Sequence, residues 1–582
     1  MKSLKNYNPI KFLDEFRGKD FTGEWPTLPE IFSITVKRFG ERNAFTDWDT
    51  EDFSKRTYTY NQVKNQIIQL AKWFVENGIK KGDRIAVTGK NSPEWATVYL
   101  AALFAGAIIC PIDYALHEHE VENLLATAEP KFLFADREKF EYFSNKKNKF
   151  ELYALNRLDA EKYVYTLNSK SNVELNQMPE ENDTAAILFT SGTTGNPKGV
   201  MLSHKNLVSD AFIAQYNMII DHNDVFYALL PIHHAYTMLA VFIESICVGA
   251  EIVFGKSLAV SKLMKELKEG KITMLLGVPM LFNKLADGIQ KGIAAKGKFV
   301  SGLINCMANI SYGVKKMFKV NIGHFLFNSV LKQANINTIR IAICGGGPLA
   351  KSVFRFFNQM GIDFVQGYGL TETSPIIALN PIQHFKIQSV GKYFKGHMEM
   401  KVLEPNEDGV GEICVKGPMV MQGYYKMPEE TAKMFTPDGW FKTGDLGWLD
   451  NEDYLMLSGR CKNMIVTAGG KNVYPEEIED AFQLEKGIQQ ITVQGYIENE
   501  ETKSEALEAL VYVSDEIYEN LKVQRSDSSV ETKSLIKNYV QQSVDRVNKT
   551  LLPYQRISRI KILDEPLEMT TTLKVKRNYN KT

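Results

Sequence analysis

Along most of the chain, apolar positions switch between two spacings. Short continuous apolar runs of strand length alternate with longer stretches in which apolar residues recur every third or fourth position. The run RIAVTG at 84–89 precedes PEWATVYLAALFA at 93–105, and HEVENLLATA at 119–128 precedes KFLFAD at 131–136. That alternation predicts α/β layers built on parallel sheet. One charge-free stretch, Trp95 to Ile112, is about as long as a short membrane span, but it is punctuated internally. Ser92-Pro93 reads as N-cap and first helical residue, Gly106 as a helix stop, and AIICPI as a short buried strand. The prediction is therefore helix, turn, strand rather than a span.

The pattern changes near Gly459-Arg460. A strand-like end, YLMLSG, is followed by a short strand (MIVTA), a glycine pair and a helix starting at Pro475. The reading is a large N-terminal domain, 1–459, of parallel-sheet α/β layers plus a β subdomain, and a small mobile α+β domain, 460–582. Residues 500–534, rich in Glu, Lys and Ser, read as exposed surface. Residues 286–336 stand apart, with seven lysines, one acidic residue (Asp287) and large apolar residues such as Phe299, Leu303, Met317, Phe318 and Phe325 between them. In one reading this segment lies on an anionic membrane surface. In the other it packs on its own domain with its lysines in water.

Composition narrows the classes. The 582 residues are 44% hydrophobic and 24% charged, as in soluble globular proteins with large cores. Sixty-nine basic residues balance sixty-nine acidic ones, which gives no general electrostatic reason to bind nucleic acid. The six cysteines are scattered without a CxxC pair, which fits reduced thiols. The first twenty residues carry no apolar signal-peptide core. The expected location is cytoplasmic, peripheral at the inner face of the membrane if 286–336 binds lipid. No oligomeric state is assigned.

The strongest chemical signal is Thr190-Ser191-Gly192-Thr193-Thr194-Gly195-Asn196-Pro197-Lys198-Gly199, between the strand-like runs AAILF and VML. Its glycines let backbone approach a ligand closely. Its hydroxyls and N–H groups can cradle phosphate oxygens, and Lys198 adds a mobile positive charge for the β- and γ-phosphates. A Walker A loop needs Lys directly after Gly and a hydroxyl next. Here Pro197 precedes the lysine and Gly199 follows it, so the P-loop NTPase reading fails on spacing.

TSGTTGNPKG closely resembles the signature of the adenylate-forming superfamily, which includes acyl-CoA synthetases, peptide-synthetase adenylation domains and firefly-type luciferases. Four further segments follow in that family's order. LPIHH at 230–234 resembles the segment that brings a histidine or aromatic to the acyl-adenylate, and His233 is the favoured residue. Gly345, Gly346 and Gly347, after the strand-like IRIAIC, would line the adenine pocket. In QGYGLTET, Gln366, Gly367 and Gly369 would belong to the nucleotide-binding set, Tyr368 would stack on adenine, Thr371 would reach the α-phosphate and Glu372 would hold Mg²⁺. Asp445, in a glycine-flanked loop, would accept the ribose hydroxyls. Arg460 would reach the ribose, with Lys462 as hinge pivot. Gly469 and Gly470 would admit a pantetheine arm, and Lys471 would meet a CoA phosphate. At 451–454 (NEDY) relatives often have glycine before the aromatic, and Asp453 tolerates the same conformation. Near the C-terminus Lys574 matches the lysine that completes the adenylation site, with Leu573 in place of the usual glycine and Lys576 as a rival.

The resemblance implies that ATP, Mg²⁺ and an acid give an acyl-adenylate, which is passed to CoA. The TAGGKN segment, the chain length, and the absence of a carboxylate near Ala235-Tyr236-Thr237-Met238 resemble long-chain fatty acyl-CoA synthetases rather than amino-acid-activating domains. Alternatives are a fatty acyl-ACP or acyl-AMP ligase, an aryl-CoA ligase, and a non-catalytic nucleotide-binding relative.

Overall fold

A computed structural model describes residues 7–49, 54–171, 173–190, 197–256, 260–467, 471–485, 487–499, 504–527, 529–569 and 575. Among them the strands form sheets of thirteen, seven, two and three members.

The thirteen-stranded sheet has two characters. Strands Asn43–Trp48, Glu251–Phe254, Val225–Ala228, Met274–Gly277, Ile341–Cys344 and Asp363–Gly369 run parallel to one another. Beyond Asp363–Gly369 the sheet turns antiparallel through Ile376–Leu379, Gly391–Tyr393, Tyr454–Arg460, Phe441–Leu449, Gly411–Lys416 and Glu399–Leu403. The expected β portion thus continues directly from the parallel one. In the seven-stranded sheet Glu151–Ala154, Phe132–Ala135, Arg84–Thr88, Ile108–Ile112 and Thr184–Thr190 run parallel. Lys198–Ser203 then returns antiparallel.

The charge-free stretch folds as its punctuation predicts. Ser92 Oγ accepts from the Trp95 N–H at 3.1 Å, the helix runs Pro93–Phe104, Gly106 takes φ +74°, and Ile108–Ile112 is a strand. All twelve helical residues are buried, against helices Leu28–Phe39 and Tyr60–Glu76 and strands Arg84–Thr88 and Ile108–Ile112. A helix covered on every side has no polar face to keep. Among the described residues no helix is long and apolar enough to cross a membrane. The six cysteines are unpaired.

Residues 465–562 have a core of their own, centred on Val473, Ile478, Ala509, Val511, Val540 and Val544. This corrects the reading of 500–534 as surface. Ser504–Val513 is a strand whose Leu507, Ala509, Val511 and Val513 are buried. The alternation that buries one face of EALEALVYV is masked by the Glu-, Lys- and Ser-rich composition around it. Residues 286–336 are also corrected. They form helices Pro279–Ala294, Lys298–Phe318, Gly323–Leu326 and Asn328–Gln333. Lys315 is not in water: it is buried, with Nζ 2.7 Å from Asp363 Oδ1 and 2.6 Å from Asn358 Oδ1.

Candidate active site

The strand Asp363–Gly369 ends where the sheet changes from parallel to antiparallel, and the chain doubles back there. A Cβ on Gly369 would sit 1.6 Å from the Pro375 carbonyl oxygen, so only glycine fits the turn. Thr371–Thr373 form one 3₁₀ turn, tied by a 2.8 Å bond from Thr373 Oγ1 to the Pro375 carbonyl. Thr371 and Glu372 are thereby held at a partly exposed rim.

Two elements from elsewhere in the chain lie beside the Thr371–Thr373 turn. Tyr424 donates its hydroxyl to Glu372 Oε1 at 2.8 Å. Lys198, the first residue of its strand, donates to Glu430 Oε2 at 2.9 Å and lies 4.8 Å from the Tyr424 ring centroid. Bonds from Lys433 and Lys198 hold the Glu430 carboxyl down to about 2. Burial, then the neighbouring Glu372, pushes the Tyr424 phenol well up, so it stays a donor. Thr190 ends the preceding strand. Ser191, Gly192, Thr193, Thr194 and Gly195 of the predicted phosphate loop lie outside the described residues, as do Gly469, Gly470 and Lys574.

A second group stands one turn away. Tyr368 donates its hydroxyl to Asp445 Oδ2 at 2.6 Å, and Arg460 Nε is 3.2 Å from Asp445 Oδ1. Burial and the Asp445 charge raise the Tyr368 phenol well above its ordinary range. Asp445 is not in a loop, as its flanking glycines suggested. It lies within strand Phe441–Leu449, cross-strand from Arg460 in Tyr454–Arg460. Its backbone belongs to a ladder, which fixes the carboxylate more firmly than a turn would. Lys462 follows, exposed, in the 3₁₀ turn Cys461–Asn463, and exposed Lys471 closes a small hairpin by donating its N–H to Thr467 Oγ1 at 3.3 Å.

The three glycines stand beside these groups. Gly345 is buried, and a Cβ there would come within 2.9 Å of the Tyr236 ring, whose hydroxyl donates to the Ile343 carbonyl at 3.0 Å. Gly346 is exposed with φ +80°, and Gly347 faces Pro279. The buried Gln366 pairs with Cys344, and Gly367 packs on Leu379.

His233 is held by contacts the sequence did not announce. Asn91 bonds the Ala228 and Leu230 carbonyls at 2.9 and 2.8 Å and receives the Ile232 N–H at 3.0 Å, clamping the LPIHH loop. His233 is buried, with Nε2 3.2 Å from Asp113 Oδ1 but outside hydrogen-bond geometry. His234 Nε2 lies 3.9 Å from Asp113 Oδ2. Asp113, His234, Asn91, Tyr424 and Glu430 were not picked out from the sequence. The available signal was position: Asp113 is the first charged residue past the carboxyl end of a parallel strand, where ligand groups gather in α/β sheets.

Residues 32–425 match the family model described as AMP-binding enzyme. Among curated proteins, the chain is 27% identical to the chloroplastic long-chain-fatty-acid–[acyl-carrier-protein] ligase AEE15 of Arabidopsis thaliana, over 88% of this chain and 83% of that one. It is 28% identical to the long-chain-fatty-acid–CoA ligase FadD15 of Mycobacterium bovis, over 89% of each. Among solved structures it resembles the o-succinylbenzoate CoA synthetase MenE of Bacillus subtilis in complex with its acyl-adenylate intermediate. The TM-score is 0.71 at 24% identity, covering 95% of this chain and 98% of that one.

Proposed function

The chain belongs to the AMP-binding enzyme family, and from that premise we propose that it is an ATP-dependent ligase that activates a fatty acid, long-chain by preference, and transfers the acyl group to CoA. The observation that carries the reading is the convergence of Lys198, Glu372, Tyr368, Asp445 and Arg460 from four strands and one turn onto one rim. Such a set suits a nucleotide's phosphates at one end and its ribose at the other.

In this reading Asp445 and Arg460 hold the ribose, Tyr368 covers the adenine, and Gly345 to Gly347 with Gln366 and Gly367 form the adenine pocket's floor. Lys198 leaves Glu430 for the phosphates, since a polyanion outcompetes one exposed carboxylate. Thr371 meets the α-phosphate and His233 orients the acid. The acid's carboxylate attacks the α-phosphorus, the bond to pyrophosphate breaks, and acyl-AMP forms. The CoA thiol then attacks the acyl carbon and AMP leaves. Charge grows on phosphate oxygens in the first step, so preorganised cations are the main catalytic device. Lys198 and Lys574 supply them. Glu372 fits Mg²⁺, because its single hard carboxylate at the phosphate rim is the usual protein share of such a site. Bound there, the ion would neutralise phosphate charge. No protein nucleophile is required.

We assign 1–459 to the catalytic body and 460–582 to a small domain that moves on the Lys462 turn, bringing Lys574 for adenylation and Gly469, Gly470 and Lys471 for CoA. A carrier-protein acceptor is the second reading, favoured by the likeness to an acyl-carrier-protein ligase. Pyrophosphate release from ATP and Mg²⁺ with a panel of carboxylic acids, with and without CoA, tests both. Multiple turnovers that need a long-chain acid and CoA are expected. A single turnover unchanged by CoA shifts the acceptor to a carrier protein, and no release with any acid refutes the ligase reading.

A further inference from the structure

The helix Lys298–Phe318 has two apolar faces and needs only one for folding. Ala308, Ser311, Tyr312 and Lys315 are buried against the helix Lys351–Met360. Turned away from them, Phe299, Leu303, Cys306, Ile310 and Met317 recur at helical spacings of three, four and seven, and all are exposed. Phe299 is 85% accessible and Met317 is 74%. Phe318 and Val320 extend the stripe, and Phe325, on the next turn, is 87% accessible. Single exposed apolar residues are ordinary on a soluble surface, but a contiguous row of this length is not.

The charges around the row say what covers it. Of seven lysines in 286–336, Lys291 pairs with Asp287 and Lys315 with Asp363. Among the described residues the other five, Lys296, Lys298, Lys316, Lys319 and Lys332, make no ion pair. Lys298 opens the helix, and Lys316 and Lys319 close it. A second copy of the chain seated face to face would bring these lysines against one another, which like-charge repulsion opposes. An anionic bilayer would instead accept the aromatic and aliphatic side chains below its headgroups and the lysines among its phosphates.

We infer that the outer face of Lys298–Phe318, continued by Val320 and Phe325, docks on an anionic lipid surface. The inference stands on exposure and charge and does not depend on the acid that the ligase activates. The buried bond from Lys315 to Asp363 ties the docking helix to the strand that ends in Tyr368 and Gly369.

Flotation of the full-length protein with phosphatidylcholine vesicles, and with equimolar phosphatidylcholine and phosphatidylglycerol vesicles, tests this. Flotation with the anionic vesicles alone is expected. The triple variant Phe299→Glu, Ile310→Glu, Met317→Glu is expected to stay in the dense fraction with an unchanged unfolding midpoint. If that variant does not fold, Lys298→Glu with Lys316→Glu spares the apolar row and is expected to lower partitioning roughly tenfold or more. Failure of the unaltered protein to float, or flotation indifferent to the variants, overturns the proposal. So does a concentration-dependent dimer in sedimentation that the triple variant abolishes without any flotation, because the row is then a contact between chains.

Discussion

Asp445 shows how much one side chain is asked to do. Its two oxygens already serve Tyr368 and Arg460, and it is nearly inaccessible. The proposed ribose contacts therefore extend an existing network. Asp445→Asn keeps the shape but removes the charge and replaces one of the two acceptor oxygens with a donor facing either the Tyr368 hydroxyl or the Arg460 guanidinium. A hydrogen bond to a charged group is worth about 1.5–3 kcal/mol, so kcat/KM for ATP is expected to fall roughly ten- to a hundredfold. The unfolding midpoint should fall modestly as well, because the bonds to Tyr368 and Arg460 exist in the fold before nucleotide binds, while the ladder that holds the backbone is untouched. Steady-state kinetics in ATP checks this, and an unchanged kcat/KM would remove Asp445 from the nucleotide site. At this scale the sequence was legible wherever function lies in one continuous stretch. QGYGLTET fixes Tyr368, Gly369 and Glu372 together, and the left-handed Asp453, at φ +65°, sits where the sequence allowed a glycine substitute. Partners contributed across long separations were not legible. Glu430 reaches Lys198 across 232 positions and Tyr424 reaches Glu372 across 52. No local pattern encodes such a meeting.

The helix Pro475–Ala481 shows the same division between local signal and tertiary result. Its start at a proline with two acidic residues in the first turn was readable. The contact made just past its end was not: Gln483 Nε2 donates both to the carbonyl of Pro348, the residue after Gly345–Gly347, at 2.9 Å and to Asp480 Oδ1 of the helix at 3.1 Å. Burial, with Glu479, Glu476 and Glu477 close by, pushes the Asp480 carboxyl from 3.8 up to about 8. The sign follows from linkage. A carboxyl whose folded value is raised binds its proton more tightly in the folded state. Its contribution to stability is complete below about pH 4, and is lost as pH rises through about 8. Thermal unfolding followed from pH 5 to pH 9 should therefore show stability draining away in the native protein relative to Asp480→Asn. The variant should be the more stable of the two at the alkaline end. Parallel curves would mean that Asp480 ionises freely in the folded chain. A second element defied its sequence for an electrostatic reason. Lysines in 286–336 predicted a solvated polar face, but Lys315 finds Asp363 and Asn358 inside, while Phe299 and Met317 are left outside. Composition counts charges and cannot say which of them finds a buried partner.

For the whole molecule, the α/β layering was legible because continuous apolar runs of strand length alternate with stretches of helical spacing through most of the chain. The continuous sheet that joins the parallel and antiparallel halves was not, since pairing between distant strands leaves no local mark. The region beyond residue 465 has its own core and its own three-stranded sheet, and it meets the rest near Gly459, where Tyr474 and Glu476 crowd the backbone, and at Pro348. A separate core is what a rigid-body movement requires. Two chemical steps at one nucleotide supply the reason for such a movement. Adenylation needs a cation beside the α-phosphate as pyrophosphate leaves, whereas thioester formation needs room for the pantetheine thiol at the acyl carbon. In the proposed cycle one lysine, Lys574, is carried on a moving unit, satisfies the first demand and then withdraws for the second. Lys574→Ala should therefore lower pyrophosphate release from ATP and acid by roughly a hundredfold or more, the scale at which losing one preorganised charge-stabilising group is felt. The same variant, given preformed acyl-AMP and CoA, should make acyl-CoA at a rate within a few-fold of the unaltered enzyme. The two half-reactions are measured separately, by pyrophosphate release and by acyl-CoA formation. If both fall equally, one fixed arrangement serves both steps and the moving-domain account is wrong. If neither falls, the lysine is not the adenylation cation, and Lys576→Ala under the same two assays decides whether its neighbour is.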